Sequence, residues 1–210
     1  MAERIRCFPP VADPDTARVL ILGSMPGVAS LTAQRYYAHP RNQFWPIMGA
    51  LFGAGPDLPY AERLRALTRA GIALWDVLES CERAGSLDAA IDVRSAQAND
   101  FAAFFDAHPG IVRIAFNGGT AEKHFRRDVM PHLQPPVRAL DLRRLPSTSP
   151  AHAGMGAQEK LARWRAALQA RIAALRRARR KWRSNAKPLR RIMPLPPLPH
   201  RPGLPAAARG

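Results

Sequence analysis

Cysteine is scarce in this 210-residue sequence, which contains only Cys7 and Cys81. Two thiols cannot make a disulfide framework or supply the four ligands of a metal cluster. None of the six histidines stands at the spacing of a helical metal-ligand pair. The apolar runs are far shorter than the roughly 20 residues of a membrane span, and the N-terminal segment lacks the apolar stretch of a secretory signal. We therefore expect a cytoplasmic protein with reduced thiols, no metal site and no membrane partner.

Acidic residues are also few, with 16 against 32 lysines and arginines and a net charge of +16. Residues 176–210 hold eleven of the basic residues and no acid, which leaves +5 for residues 1–175. Such an excess favours a polyanionic partner, because lysine and arginine displace counterions from a phosphate backbone. An end rich in arginine and proline is also a common compositional bias, so a specific role for it stays open.

The proline content of the sequence rises sharply towards the end of the chain. Seven prolines between Pro188 and Pro205 exclude a continuing helix, so residues 179–210 are predicted to be a disordered basic tail. Its run PLPPLP could be a polyproline ligand for a partner domain. The hydrophobic fraction of the chain, 47%, is that of a globular protein, and residues 1–178 are enough for one domain.

Strand-like and helix-like segments alternate along this domain. Strands are predicted over residues 19–22, 72–75, 111–116 and 137–142. Helices are predicted from residues 42–45, over residues 61–70, around Phe101, and from residue 157, where an apolar stripe consists of Leu161, Trp164, Leu168, Ile172 and Leu175. The repeated order predicts an α/β fold: a three-layer α/β/α sandwich with a mainly parallel central sheet of about four strands.

Two stretches lack a clear period. Residues 1–17 are expected to form an irregular arm. Residues 80–97 are expected to form an irregular polar loop, followed by a helix that Ser95 or Asn99 would cap.

Four loops follow the predicted strands: 23–42, 75–88, 117–120 and 145–156. The carboxyl ends of parallel strands meet at one edge of a sheet, so we expect these loops to converge. The first loop opens with the turn GSMPG and then holds two tyrosines, a histidine, an arginine and an asparagine in the string YYAHPRN. These side chains, in a position that usually holds small turn residues, indicate a ligand pocket.

Three segments of the chain resemble one protein family. They are GSMPG with YYAHPRNQFW (residues 23–45), GIALWDVLESCERAGSLD (residues 71–88) and LPSTSPA (residues 145–151). In this order they resemble the uracil-DNA glycosylase superfamily, most closely its hypoxanthine (deoxyinosine) DNA glycosylase branch.

The resemblance implies the uracil-DNA glycosylase-like fold and a role in base-excision repair. The implied reaction is hydrolysis of the N-glycosidic bond of a flipped deaminated base, most of all hypoxanthine, to leave an abasic site. The implied partner is DNA containing deaminated bases, bound by a monomer that would be nucleoid-associated in a bacterium. No cofactor is expected, because this hydrolysis needs only water.

Asn42 is the candidate catalytic residue under this resemblance. An amide can position water and donate a hydrogen bond to the departing base, which takes up negative charge. The superfamily usually has Asp or Asn third in its first motif, where this sequence has Met25. In the branch that the sequence resembles, the asparagine of HPRNQFW has this function instead. Spacing alone favours a different role, in which Asn42 caps the helix that starts there.

A pocket for the base is expected from the first and second post-strand loops. Tyr37 would stack on the flipped base, while Tyr36 is the better candidate for a core tyrosine. Asp76 could accept a hydrogen bond from N1–H of hypoxanthine, a donor that adenine lacks, or cap a turn. His39 could contact phosphate or base, or brace its loop. The full expected set is Gly23, Ser24, Met25, Pro26, Tyr37, His39, Trp75 and Asp76.

Contacts with the DNA backbone are expected from the last loop, whose small hydroxyl residues and amides can approach phosphates closely. Better-known members of the superfamily end this loop in an apolar wedge that fills the vacated base stack. Here Ser149 and Pro150 stand near that position, and Met155 is another candidate. The expected DNA-binding residues are Arg41, Ser147, Thr148, Ser149 and Pro150.

Other functions stay open at this point. One is a glycosylase specific for uracil or mismatches, and another is a non-catalytic nucleic-acid-binding module on the same fold, which the Met25 departure makes conceivable. A serine hydrolase that pairs Ser24 or Ser147 with His39 or His152 is disfavoured, because the sequence contains no G-x-S-x-G elbow.

Overall fold

A computed structural model describes residues 3–168 of the chain. The expected tail at residues 179–210, the domain boundary at residue 178, and the Ile172 and Leu175 end of the apolar stripe lie outside the described residues. No helix within residues 3–168 has the length and apolarity needed to cross a bilayer.

The described chain contains both strands and helices throughout its length. The strands are β1 (Glu3–Arg6), β2 (Val19–Gly23), β3 (Ile72–Asp76), β4 (Leu78–Arg83), β5 (Gln97–Ala98), β6 (Arg113–Asn117) and β7 (Asp141–Leu145). The α-helices are α1 (Val28–Ala33), α2 (Phe44–Phe52), α3 (Tyr60–Ala70), α4 (Phe101–Ala107), α5 (Gly119–His124), α6 (Pro135–Arg138) and α7 (residues 157–168). A 3-10 turn spans Asp88–Ala90, and a π-helical turn (Phe125–Val129) and a 3-10 turn (Met130–His132) follow α5.

The central sheet consists of four parallel strands in the order β3-β2-β6-β7. Successive residues of β2 belong to two different hydrophobic clusters. Leu20 and Leu22 pack in a cluster that includes Phe101 of α4, whereas Ile21 packs in a cluster that includes Phe44 of α2 and Trp164 of α7. Side chains alternate between the faces of a strand, so helices cover both faces of the sheet. The prediction of a three-layer α/β sandwich with a mainly parallel sheet is confirmed.

The predictions of an irregular arm and an irregular polar loop are wrong, because both segments contain strands. β1, β4 and β5 form a small antiparallel sheet in which Ile5 faces Cys81 across the β1–β4 pair. The outward positions of this pair carry charged residues, including Arg6, which forms an ion pair with Glu79 at 2.6 Å. Strands as polar as ERIR and LESCER lack the apolar run that marked the central strands.

Two element boundaries also differ from those predicted. The fourth parallel strand covers Asp141–Leu145 rather than residues 137–142, because prolines at the start of α6 favour a helical turn there. β7 lies at the sheet edge and exposes two of its residues, so its sequence DLRRL looks unlike a buried strand. The cap of α4 is Asp100, whose carboxylate accepts from Ala103 N–H at 3.0 Å, and not Ser95 or Asn99.

Candidate active site

The four post-strand loops converge on one cavity of about 350 Å³ at the carboxyl edge of the parallel sheet. Its walls come from the loop after β2, the end of β3, the connection after β4, the turn after β6 and the loop after β7. The expected site residues that line it are Gly23, Ser24, Met25, Pro26, Tyr37, His39, Asn42, Asp76, Ser147, Thr148, Ser149 and Pro150.

The floor of the cavity is built around Gly23, which pairs with Asp76 across the β2–β3 ladder. A Cβ atom on Gly23 would overlap the Asp76 carboxyl group and lie 3.1 Å from the Tyr37 hydroxyl. Glycine is therefore what allows these two side chains to meet at the end of β2. Tyr37 has a left-handed backbone with φ of 54°, a conformation that is uncommon for a bulky residue and typical of functional loops.

Two buried oxygen atoms at this floor have no hydrogen-bond partner among the described residues: Asp76 Oδ2 and the Tyr37 hydroxyl. The Asn117 side chain approaches the hydroxyl without closing a hydrogen bond. Buried polar atoms without partners are rare in folded proteins and costly. Two such atoms, on side chains that line the same cavity, are left for the polar edge of a ligand to pair with.

Burial, and to a smaller extent the negative charge of Asp88, raise the pKa of Asp76 to about 7, although the Arg83 guanidinium acts in the opposite direction. Burial also raises the pKa of Tyr37 well above that of an ordinary phenol. Near neutral pH the Asp76 side chain is therefore present as both acid and carboxylate. The Tyr37 hydroxyl stays neutral and can donate a hydrogen bond.

Asn42 lines the cavity and also contacts the start of α2. Its Oδ1 accepts from Phe44 N–H at 2.9 Å, as the capping interpretation predicts. No hydrogen bond holds its Nδ2 within the described part of the chain, so this amide can donate into the cavity. His39 braces the loop, since its Nδ1 accepts from Arg41 N–H at 3.1 Å and its carbonyl accepts from Asn42 N–H at 2.9 Å.

The two adjacent tyrosines occupy different environments. Tyr36 is 3% exposed and donates its hydroxyl to carbonyl oxygens of the N-terminal segment, as expected of a core tyrosine. The Tyr37 ring stacks on Phe44, with centroids 4.0 Å apart and planes 22° apart. One face of the Tyr37 ring is therefore covered by the protein, the residue lines the cavity, and its hydroxyl is buried next to Gly23.

Trp75 and Arg41 do not line the cavity. Trp75 packs against Phe101 and Phe104 in the core and donates its indole N–H to the Phe8 carbonyl at 3.1 Å. Successive residues of a strand point to opposite faces, so Trp75 and Asp76 could not both face the pocket. Arg41 is exposed to solvent. The expectation that Trp75 contacts the base is thus corrected by its position in the core.

Several lining residues were not among the site residues expected for a glycosylase: Ser86, Leu87, Asp88, Asn117, Gly118 and His152. Asp88 accepts from the Ser24 hydroxyl at 2.7 Å, which joins the connection after β4 to the loop after β2. Gly118 has a φ of 102°, and a Cβ there would lie 3.1 Å from the Ser147 side chain. The positions of their loops after the strands were identified from the sequence, but the sequence of a short polar loop does not show which of its residues face the cavity.

No group of three or more His, Cys, Asp or Glu side chains that could hold a metal ion occurs within residues 3–168. The Thr148 side chain is fully buried and bonded to Asn117, so its hydroxyl is directed into the protein. Met155, the other wedge candidate, lines a neighbouring groove instead of the cavity.

Comparison with known proteins agrees with this architecture. The family model of the uracil DNA glycosylase superfamily matches residues 9–175. The chain is 40% identical over 112 residues to a hypoxanthine DNA glycosylase of Methanosarcina barkeri, covering 53% of this chain and 69% of that protein. It is 38% identical over 120 residues to a hypoxanthine DNA glycosylase of Methanosarcina acetivorans, covering 57% of this chain and 74% of that protein.

A solved structure supports the same assignment. The solution structure of a candidate uracil DNA glycosylase from Methanosarcina acetivorans superposes with a TM-score of 0.62 at 32% identity, covering 76% of this chain and 96% of that one. The match to the family model extends over more than half of the sequence, and the fold and the converging loops agree with it. The chain therefore belongs to the uracil DNA glycosylase superfamily.

Proposed function

We propose that this protein is a DNA glycosylase that hydrolyses the N-glycosidic bond of a flipped deaminated base, hypoxanthine foremost, and leaves an abasic site. Family membership and the names of the two Methanosarcina relatives support this activity. The observation that carries the proposal is the pair of unpartnered buried oxygens, from Tyr37 and Asp76, at the floor of the cavity.

This pair is complementary to the edge that deamination creates. Hypoxanthine presents the O6 acceptor next to the N1–H donor, whereas adenine presents an N6 donor next to the N1 acceptor. The Tyr37 hydroxyl can donate to O6, and the Asp76 carboxylate can accept from N1–H. An adenine in the same place would leave both protein groups unpaired, which is a strong basis for rejection.

The same keto–lactam edge occurs in uracil and xanthine, so the pair accepts these deaminated bases and rejects adenine and cytosine. Thymine has this edge as well, and the cavity must exclude its C5 methyl group by shape. Guanine shares the edge but carries an additional amino group next to N1, which needs its own space and acceptor. A cavity of about 350 Å³ lies within the range of roughly 300–1,000 Å³ typical of small-molecule sites. The preference for hypoxanthine over uracil would then rest on cavity shape around Met25 and Tyr37.

The reaction breaks the bond between C1′ and the base nitrogen, and water supplies the new oxygen at C1′. The bonding electrons leave with the base, so a donor at O6 stabilises the charge that develops there. We assign this role to the Tyr37 hydroxyl. Asn42 acts beside the sugar, where its Nδ2 donates and the remaining lone pair of Oδ1 orients the water.

A groove of about 780 Å³ adjoins the cavity and offers a path for the DNA backbone. The arginines that line it are Arg113, Arg143, Arg144 and Arg163, and it shares Gly118, Gly119, Ser147 and His152 with the cavity. Three of these arginines have exposed side chains that form ion pairs with acidic neighbours. Exposed pairs are weak, so a phosphate can replace the acid as partner.

The activity is tested with duplexes that contain a single inosine, uracil or xanthine, incubated with the full chain and then treated with alkali to break abasic sites. We expect cleavage at inosine and none at adenine or guanine in matched duplexes. Equal cleavage at uracil would move the assignment to a broader deaminated-base glycosylase. Absence of cleavage on every substrate, from folded protein, would falsify the proposed function.

A further inference from the structure

Two large apolar side chains are exposed at the same rim of the cavity. Leu87 is 60% exposed and belongs to the cavity lining. Val28 is 49% exposed, follows the lining residue Gly27, and donates its N–H to Ser86 Oγ at 3.0 Å. The other large hydrophobic residue that is exposed within residues 3–168 is Val93, which does not line the cavity.

The rim that carries these side chains is held in place from below. The guanidinium of Arg83 is 3% exposed and donates to the carbonyl oxygens of Pro26 at 2.5 Å and Gly85 at 2.9 Å. The Ser24–Asp88 hydrogen bond joins the same two turns on the cavity side. Leu87 therefore projects from a fixed support, and its exposure does not result from a loosely attached loop.

The opposite rim offers no comparable side chain. Ser149, Pro150 and His152 line the cavity there, and Met155 is turned into the neighbouring groove. Among the described residues that line the cavity, Leu87 is the large aliphatic residue that faces mainly solvent. An apolar side chain at the mouth of a site for an extruded base is placed to contact the stack that the base has left.

We propose that Leu87, supported by Val28, inserts into the base stack of double-stranded DNA at the step vacated by the flipped nucleotide. This inference rests on the proposed function. Apolar wedges of this kind keep the vacated step open and prevent the base from returning. The wedge would thus come from the connection after β4 instead of the loop after β7.

The test compares the full chain with Leu87→Ala, Leu87→Met and Val93→Ala on inosine in double-stranded and in single-stranded DNA. A single strand has no stack to fill, so the wedge matters only in the duplex. We expect Leu87→Ala to lower kcat/KM on the duplex about tenfold or more, with single-strand activity changed less than about twofold. Leu87→Met should restore most of the duplex activity, and Val93→Ala should match the unaltered chain.

A second measurement follows insertion without the reaction. A duplex with 2′-fluoro-deoxyinosine, which resists hydrolysis, carries 2-aminopurine beside the inosine to report loss of stacking. The unaltered chain should raise the 2-aminopurine fluorescence on binding, and Leu87→Ala should raise it less at saturation.

The outcomes separate the two proposals. Full duplex activity in Leu87→Ala, or an equal loss on both kinds of DNA, overturns the wedge and leaves the glycosylase assignment intact. If the unaltered chain excises no base, the glycosylase assignment is removed. The fluorescence measurement then tests insertion by itself, because a signal that does not rise on binding means that Leu87 does not insert.

Discussion

One carboxamide joins Asn117 to Thr148 by two hydrogen bonds: Asn117 Nδ2 donates to Thr148 Oγ1 at 2.9 Å, and Asn117 Oδ1 accepts from Thr148 N–H at 2.9 Å. The Thr148 carbonyl oxygen accepts in turn from Gln43 N–H at 3.0 Å. The end of β6, the loop after β7 and the start of α2 are thus tied together around the cavity. Thr148 holds this arrangement from inside, which leaves Ser147 and Ser149 as the residues of that loop whose hydroxyl groups are available to DNA.

Replacing Asn117 by alanine should lower both stability and excision. The variant loses two partly buried hydrogen bonds and leaves the buried Thr148 groups unpaired, which costs about 2–4 kcal/mol of the free energy of unfolding. Thr148→Val is the matched control, because it removes only the bond to Oγ1 and should cost roughly half as much. Urea unfolding measures both values. If Asn117→Ala unfolds at the same urea midpoint as the unaltered chain, the Asn117–Thr148 hydrogen bonds contribute nothing to stability.

The raised pKa of Asp76 makes stability depend on pH. The folded protein binds this proton more tightly than the unfolded chain, because the carboxyl pKa is about 7 in the fold and 3.8 in the reference state. Folding is therefore favoured at low pH, and this advantage is lost as the pH rises towards 7. Between pH 5 and pH 8 the free energy of unfolding should fall by about 2 kcal/mol more in the unaltered chain than in Asp76→Asn.

Urea unfolding of both proteins at the two pH values gives this difference directly. Asp88→Asn serves as a control, because loss of the neighbouring charge should lower the Asp76 pKa and reduce the pH dependence. Parallel pH profiles for the unaltered chain and Asp76→Asn would contradict a raised pKa at this residue.

Gly23→Ala tests whether the cavity floor requires the Asp76 carboxyl group and the Tyr37 hydroxyl to lie close to the backbone of residue 23. The new methyl group would collide with the Asp76 carboxyl and crowd the Tyr37 hydroxyl, so the two groups must separate. We expect a loss of about 1–3 kcal/mol in stability from overpacking and a fall in inosine excision of about 100-fold or more. Gly154→Ala is the matched control, since a Cβ there meets nothing within 4 Å. Equal activity of the two variants would contradict the proposed floor.

The central parallel sheet could be predicted from the sequence because each of its buried strands is marked by a local run of apolar residues. The apolar run at Val19–Gly23 and the breaks that follow it mark a buried strand and its loop without knowledge of the rest of the chain. β1 and β4 were missed because their stabilisation comes from pairing between segments about 75 residues apart, which polar sequences such as ERIR do not reveal.

The site was accessible only in part. The family resemblance and strand topology bring Gly23, Asn42 and Asp76 to one cavity, as the structure does. Trp75 was misplaced because the direction of a side chain at a strand end depends on register. Leu87 and Asn117 were missed because their positions in the site depend on segments that are distant in the sequence: the turn after β2 for Leu87 and Thr148 for Asn117.

Asn42 can be tested separately as a cap and as an active-site donor. Asn42→Asp keeps an oxygen that can accept from Phe44 N–H, so it should stay within about 0.5 kcal/mol of the unaltered stability. Asn42→Ala loses that bond and should cost about 1 kcal/mol. Both variants lack Nδ2, so both should lose excision by about 100-fold or more if the amide donates in the transition state. Full activity in Asn42→Asp would limit Asn42 to a capping role.

Tyr37→Phe separates a binding role of the hydroxyl from a structural one. The ring would keep its stack on Phe44, and only an oxygen without a hydrogen-bond partner would be removed. Stability should therefore stay equal or rise by up to about 1 kcal/mol, because a buried unpaired hydroxyl is unfavourable. Inosine excision should fall about 10- to 100-fold, because O6 would lose its donor as charge develops on the base.

Tyr60→Phe provides a control for the substitution itself. The Tyr60 hydroxyl accepts from Tyr36 N–H at 2.9 Å, so its loss should lower stability with little direct effect on the reaction. A Tyr37→Phe variant that is less stable and fully active would show that the hydroxyl serves the fold, and the recognition of the deaminated edge would then need another donor.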